Sequence, residues 1–167
     1  MVVAAAPLAR APSSGDHGEA MSERLADPRI QEYLATKEVV VLAVLRPDGA
    51  PVVTPMWFLH DADALTMISV DGLAKVANLR SDPRVCVVAE SGTRRDIRSV
   101  TVHGRATFLA DTPERRALAT LFHAKYRPDI ERLWGGATMP ANRVMFRIVP
   151  DRVRSRGLPE RERGAGT

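Results

Sequence analysis

The stretch "ALTMISVDGLAKVANLRSDPRVCVVAE", Ala64 to Glu90, decides the fold. An apolar run over 64–70 and a second over 83–90 read as strands, joined by a turn and a short helical segment over 72–82. Within that segment Leu73, Val76 and Leu79 recur every three residues, the spacing of one helix face. Lys75 and Asn78, also three apart, share another face and are neighbours on it. The chain has only three lysines, Lys37, Lys75 and Lys125, against 21 arginines. A lysine one turn into this helix is therefore a marked choice.

Upstream, "VVVLAVL" (39–45) is a β-branched strand, and "RPDG" (46–49) places Pro and Gly where a tight reversal wants them. "APVVTPMWFLH" (50–60) is a second strand, whose Pro51 and Pro55 cannot donate to a ladder and so point to an edge or a bulge. "DAD" turns the chain into the strand at 64–70. Connections this short exclude parallel crossovers, so the strands form an antiparallel meander. Downstream, "GTRRD" is a polar loop, and "IRSVTVHGRATFLA" (97–110) is a long strand. Val100, Val102, Gly104 and Ala106 fall on one of its faces, with Ser99, Thr101, His103 and Arg105 on the other.

Helices flank this sheet. Asp27 and Pro28 form a cap and first turn for a helix with Ile30, Tyr33 and Leu34 on one face. Residues 111–126 form another, capped by Asp111 or Thr112 with Pro113 in its first turn. "RPDIERLWGGATMPA" (127–141) reads as irregular, and "NRVMFRIVPDRVRSRG" (142–157) as one or two closing strands. Six or seven strands with two or three helices give a mainly β fold, an antiparallel barrel or strongly curled sheet. A doubly wound fold is excluded because helices do not alternate with strands, and no Gly-rich phosphate loop is present.

Composition narrows the function. The single cysteine, Cys86, excludes an internal disulfide framework and fits a cytoplasmic setting. Alternating into a strand, Cys86 is expected to be a buried small hydrophobe. The four histidines are scattered without metal-ligand spacing, so no metal site is expected. No apolar run reaches membrane-spanning length. The net charge of +4 gathers in the C-terminal tail. Without interleaved aromatics or a reading helix it does not indicate nucleic-acid binding. Residues 1–22 read as a disordered leader, with Met21 as an alternative start, residues 23–157 as one domain, and residues 158–167 as a basic tail.

Four elements carry a family resemblance: "DGAP" (48–51), "PMWF" (55–58), "AKVANLRSDPRV" (74–85) and "VHGRA" (102–106). Over roughly residues 28–156 the chain resembles the pyridoxamine 5′-phosphate oxidase-like split β-barrel superfamily. More closely, it resembles the branch that holds deazaflavin F420-dependent reductases and their flavin-binding relatives. The Lys-x-x-Asn-Leu-Arg-x-Asp-Pro-Arg run at 75–84 is the most specific part. The resemblance implies a split β-barrel and a homodimer with the cofactor in a groove between protomers. It implies Lys75 as a point charge on the cofactor phosphate, with Asn78 a neighbouring donor and Ser69 and Val70 beside the ribityl tail. The backbone of Val53, Thr54, Pro55 and Met56 would face the tricyclic ring, with Trp57 a pocket wall or plain core. One departure stands out: relatives often carry Arg or Lys just before the Ala-Lys pair, and here that residue is Leu73. Arg98, Arg105 or Arg147 are the expected compensating cations, from the same chain or a second subunit. Trp134, before two glycines, is read either as a lid or as packing on the barrel end.

The implied activity is an F420-dependent oxidoreductase that passes hydride to a small electron-poor acceptor. The cofactor performs the chemistry, so no acid–base dyad is required and no catalytic side chain is assigned. Exposed Arg80 and Arg84 near Lys75 favour F420, whose acidic tail needs a basic exit. Two alternatives remain: an FMN-binding oxidase or flavin reductase-like protein, and a non-catalytic cofactor-binding dimeric module.

Overall fold

The computed structural model describes residues 23–93 and 95–160. The leader expected at 1–22 and the last seven residues of the tail lie outside these. Asp27 caps α1 (Pro28–Ala35) as its sequence indicates, its carboxylate accepting from the Arg29 N–H at 2.9 Å. Six strands follow: β1 (Val39–Leu45), β2 (Pro51–His60), β3 (Leu65–Val70), β4 (Arg84–Thr93), β5 (Asp96–Phe108) and β6 (Arg143–Arg156). Helix α2 (Ala74–Ser81) joins β3 to β4, and α3 (Pro113–Tyr126) and α4 (Asp129–Trp134) join β5 to β6. The strands close an antiparallel barrel in the order β1-β2-β3-β6-β5-β4, β4 pairing back to β1.

One expectation is corrected: the 127–141 segment, read as irregular, contains a helix, α4, anchored by the buried side chain of Ile130. The closing segment, expected as one or two strands, is a single one. Pro150 does not break β6, because it sits where the register with β5 shifts between His103 and Gly104, and a bulge tolerates the missing donor. Gly104 is required at that crossing: a Cβ there would lie 2.2 Å from the Val149 carbonyl oxygen.

Alternation sorts the side chains. Val40, Leu42, Val44, Met56, Phe58, Leu65, Met67, Val100, Val102, Phe146 and Ile148 fill the barrel. Outside it, Phe122, Tyr126 and Ile130 of α3 and α4 pack on Trp57, Leu59, Ile68 and Trp134. Cys86 departs from expectation. It lies on the opposite face from Val85 and Val87 and is half-buried on the outer wall, where burial raises its thiol pKa.

The split lies between β2 and β3. Strand β2 pairs with β1 from Pro51 to Trp57 but with β3 only from Phe58 to His60. Pro51 and Pro55 thus sit in the half of β2 that has a single strand neighbour, where prolines are tolerated. At the changeover the Tyr126 hydroxyl accepts from the Phe58 N–H at 2.8 Å and faces the Glu38 and Phe58 carbonyl oxygens, each at 2.8 Å. Burial pushes the Tyr126 pKa up to about 12, so the hydroxyl keeps its proton through the alkaline range.

Tyr126→Phe is expected to lower unfolding free energy by about 1–3 kcal/mol, the cost of stranding buried backbone groups. Denaturant unfolding measures it. Because the folded pKa is raised, the wild type loses stability as pH rises from 10 toward 12, a decline that Tyr126→Phe lacks.

Candidate functional site

Where β2 and β3 part, a cleft of about 340 Å³ opens on the outside of the barrel. Its floor is Pro55, Met56 and Trp57 of β2 with Ile68, Ser69 and Val70 of β3. Leu73 and Lys75, at the start of α2, close one side, and Phe122, Ile130, Leu133 and Trp134 form the opposing wall. Arg143, the first residue of β6 and register partner of Val70, completes it.

The electrostatics are one-sided. Among the described residues the cleft is lined by two cations, Lys75 and Arg143, and by no acidic residue. Lys75 Nζ points at the Met56 sulfur, 3.2 Å away, a weak acceptor for an ammonium. Burial alone lowers its pKa from the ordinary lysine value, with no carboxylate raising it. Among the described residues the buried Ser69 hydroxyl has no hydrogen-bond partner. Helix α2 has Leu73 as its N-cap residue, with no side-chain cap, so its first N–H groups add partial positive charge beside Lys75. Lys75, the Ser69 hydroxyl and the first N–H groups of α2 together offer donors suited to an anionic or oxygen-rich ligand.

The aromatic wall is rigid. Trp57 stacks on Tyr126 with ring centroids 4.7 Å apart and planes inclined by 8°. Tyr126 in turn lies 5.7 Å from Phe122. Lys125 sits over the Phe58 ring at 4.3 Å and donates to the Phe58 carbonyl at 2.9 Å, which fixes α3 on β2.

Of the nine residues singled out from sequence, six meet here: Pro55, Met56, Trp57, Ser69, Val70 and Lys75. Val53 and Thr54 lie farther along β2, with Val53 exposed on the outer wall. Asn78 does not line the cleft. Leu73 is not on the buried face of α2 with Val76 and Leu79; it is 43% exposed at the cleft rim. The expected compensating cations are held elsewhere in their own chain. Arg98 pairs with Asp96, Arg105 lies near Asp151, and Arg147 bridges Asp61 and Glu114. Arg80 and Arg84 are exposed but paired, with Asp71 and Asp82. His103 is exposed on the outer wall.

Sequence reasoning missed Arg143, Phe122, Ile130 and Leu133. Arg143 carries no local signal, since only the closure of β6 on β3 brings it to the cleft. Trp134 was flagged by its Gly-Gly neighbours, and it lines the cleft while packing on the α3–α4 cluster.

Anion binding needs the protonated lysine. Affinity for inorganic phosphate is expected to fall as pH rises through the depressed Lys75 pKa, before the ordinary lysine range is reached. Lys75→Arg, which stays charged, is expected to bind at a level that does not change across the same interval. Calorimetric titration at a series of pH values checks both.

Comparisons with known proteins follow the same lines. Residues 26–157 match the family profile described as pyridoxamine 5′-phosphate oxidase. Among solved structures, the chain is similar to the conserved hypothetical protein Rv2991 of Mycobacterium tuberculosis. Identity is 28% and the TM-score 0.66, over 80% of this chain and 89% of that one. It is likewise similar to a FAD-binding protein of Mesorhizobium loti, with 28% identity and a TM-score of 0.60, over 77% and 90% of the two chains. HutZ, the heme storage protein of Vibrio cholerae, shares the fold at 17% identity with a TM-score of 0.67, over 81% and 97%. No curated protein matches the chain significantly. With a match spanning the whole barrel, α1 to the end of β6, the chain belongs to the pyridoxamine 5′-phosphate oxidase family.

Proposed function

We propose that the chain is an oxidoreductase that uses a tricyclic, phosphate-bearing cofactor of the flavin class, F420 in the first reading and FMN in the second. The carrying observation is the acid-free cleft in which the Lys75 ammonium and the Ser69 hydroxyl both lack a strong partner. The family match and the similarity to a FAD-binding protein support a flavin-type ligand.

The residues present fit such a group. Lys75, the Ser69 hydroxyl and the start of α2 would hold the phosphate. Trp57, locked by Tyr126, and Pro55 would bound the ring. In the 51–57 part of β2, alternate N–H and C=O groups face away from β1 with no β3 partner, and would meet the ring's polar edge. When bound, the cofactor supplies hydride transfer. The protein's part is to orient the acceptor, exclude water behind the apolar wall of α3 and α4, and hold charge where the phosphate lies.

Two observations bear on the cofactor. Arg80 and Arg84 are exposed, and solvent screens their surface ion pairs, which therefore hold them only weakly. They could exchange partners for the acidic tail of F420. Since both are paired as the structure stands, a cofactor ending at its phosphate fits equally well, which favours FMN as the second reading. Binding without turnover would leave the cofactor-carrier alternative.

The outer wall supports a homodimer. Val39, Val41 and Val53 are 45%, 40% and 59% exposed, and the register places them with Pro55, Ala43, Cys86 and Val88 on one apolar face. The face runs directly into the cleft through Val39 and Pro55. A second copy seated there would cover apolar surface that water otherwise meets and would wall the cleft's open side.

Equilibrium binding of F420 and of FMN tests the first proposal. Lys75→Ala is expected to weaken the preferred cofactor about tenfold or more, the worth of one charge-assisted contact. Added salt should weaken F420 more steeply than FMN. Binding of neither would remove the enzyme reading. For the dimer, sedimentation of wild type should give about twice the chain mass. Val53→Asp, which places a charge on the apolar face, should give the monomer and weaken cofactor binding together.

A further inference from the structure

The two cations of the cleft point to different places. Lys75 reaches across from α2 to β2, where its ammonium meets Met56. Arg143 lies on β6, on the other side of β3, and its guanidinium turns toward α4, with Nη2 at 3.4 Å from the Leu133 carbonyl oxygen and Nη1 at 3.0 Å from Asn142 Oδ1. The two contacts lie on different elements: Lys75 meets Met56 of β2, and Arg143 meets Leu133 of α4, on the wall that faces the start of α2. One phosphate held by Lys75 and the start of α2 therefore leaves Arg143 for a second anionic group.

The surroundings of Arg143 differ from those of Lys75. It contacts the Leu133 carbonyl, and Ile130 and Trp134 of the same helix line the cleft with it. Leu133 is 63% exposed at the mouth, a large apolar side chain with nothing on it. No carboxylate pairs with Arg143 among the described residues, and its contact to Leu133 is long for a hydrogen bond. A guanidinium beside an apolar wall suits a flat apolar body that carries a planar oxyanion, which it can grip with two parallel N–H bonds.

We infer that the α4 end of the cleft is the acceptor subsite, and that Arg143 selects planar apolar acceptors bearing a carboxylate or comparable oxyanion, gripped by Leu133 and Trp134. This rests on the reading that Lys75 marks the cofactor phosphate. Lys75→Ala separates the two, because it should abolish the cofactor contact and leave acceptor selection intact.

The test uses the full chain and two probes of equal shape, 2-naphthoate and its neutral amide, titrated calorimetrically without cofactor. Wild type should bind the carboxylate about tenfold tighter, the value of one charge-assisted bidentate contact. Arg143→Gln keeps a donor for the Leu133 carbonyl but removes the charge, and should bring the two affinities together. Arg143→Lys should retain part of the preference, which separates loss of charge from loss of fold. Trp134→Ala should weaken both probes alike. The assignment is overturned if wild type does not prefer the carboxylate, if the preference survives Arg143→Gln, or if Lys75→Ala abolishes it instead. If acceptor selection behaves as expected while Lys75→Ala leaves cofactor affinity unchanged, the phosphate reading fails and the Arg143 subsite stands as a ligand site.

Discussion

The architecture turns on the Tyr126 hydroxyl. A strand that leaves one neighbour for another strands peptide groups at the changeover, and buried peptide groups tolerate no vacancy. Tyr126 enters from α3, outside the barrel, and meets the amide and carbonyl of Phe58 and the carbonyl of Glu38. With the Lys125 ammonium on the Phe58 carbonyl, that side chain satisfies the peptide groups at the point where β2 and β3 diverge, and the divergence is the cleft. The same ring holds Trp57 flat against it, so the group that stabilises the split also shapes the wall beside it. Fold and site are thus two effects of one contact.

The second constraint is electrostatic. Among the described residues most arginines are tied to a carboxylate in the same chain, and such exposed pairs contribute little to stability. The two cations of the cleft are kept apart from that pattern. Burying part of a lysine without a counter-charge costs free energy, seen in its lowered pKa. A ligand anion would recover that cost on binding, which is how an otherwise unfavourable group becomes an affinity determinant.

Local chemistry made much of the fold legible in the sequence. Asp27-Pro28, the turn at 46–49 and the alternation over 97–110 depend on neighbours in the chain, and each appears where it was expected. The prolines of β2 correctly marked the half-strand with one neighbour. What failed depends on distant partners. The six residues of α4 lack a side-chain cap and are held by burial of Ile130. On the site, the residues between Pro55 and Lys75 could be read because they lie on one continuous stretch. Arg143 and Phe122 come from elements far along the chain, and only closure of the barrel brings them in. Leu73 shows the limit of periodicity: three-residue spacing placed it on the buried face, yet it precedes the first helical residue and turns outward.

The chain has two tryptophans, and both line the same cleft. Trp57 is fixed by its stack on Tyr126, while Trp134 rides on a short helix followed by two glycines with positive φ. The indole emission of the protein therefore comes from the cleft alone. A tricyclic ring bound there would quench both chromophores by energy transfer, whereas a change confined to α4 would alter Trp134 and leave Trp57 as an internal reference. The molecule carries its own optical gauge of occupancy.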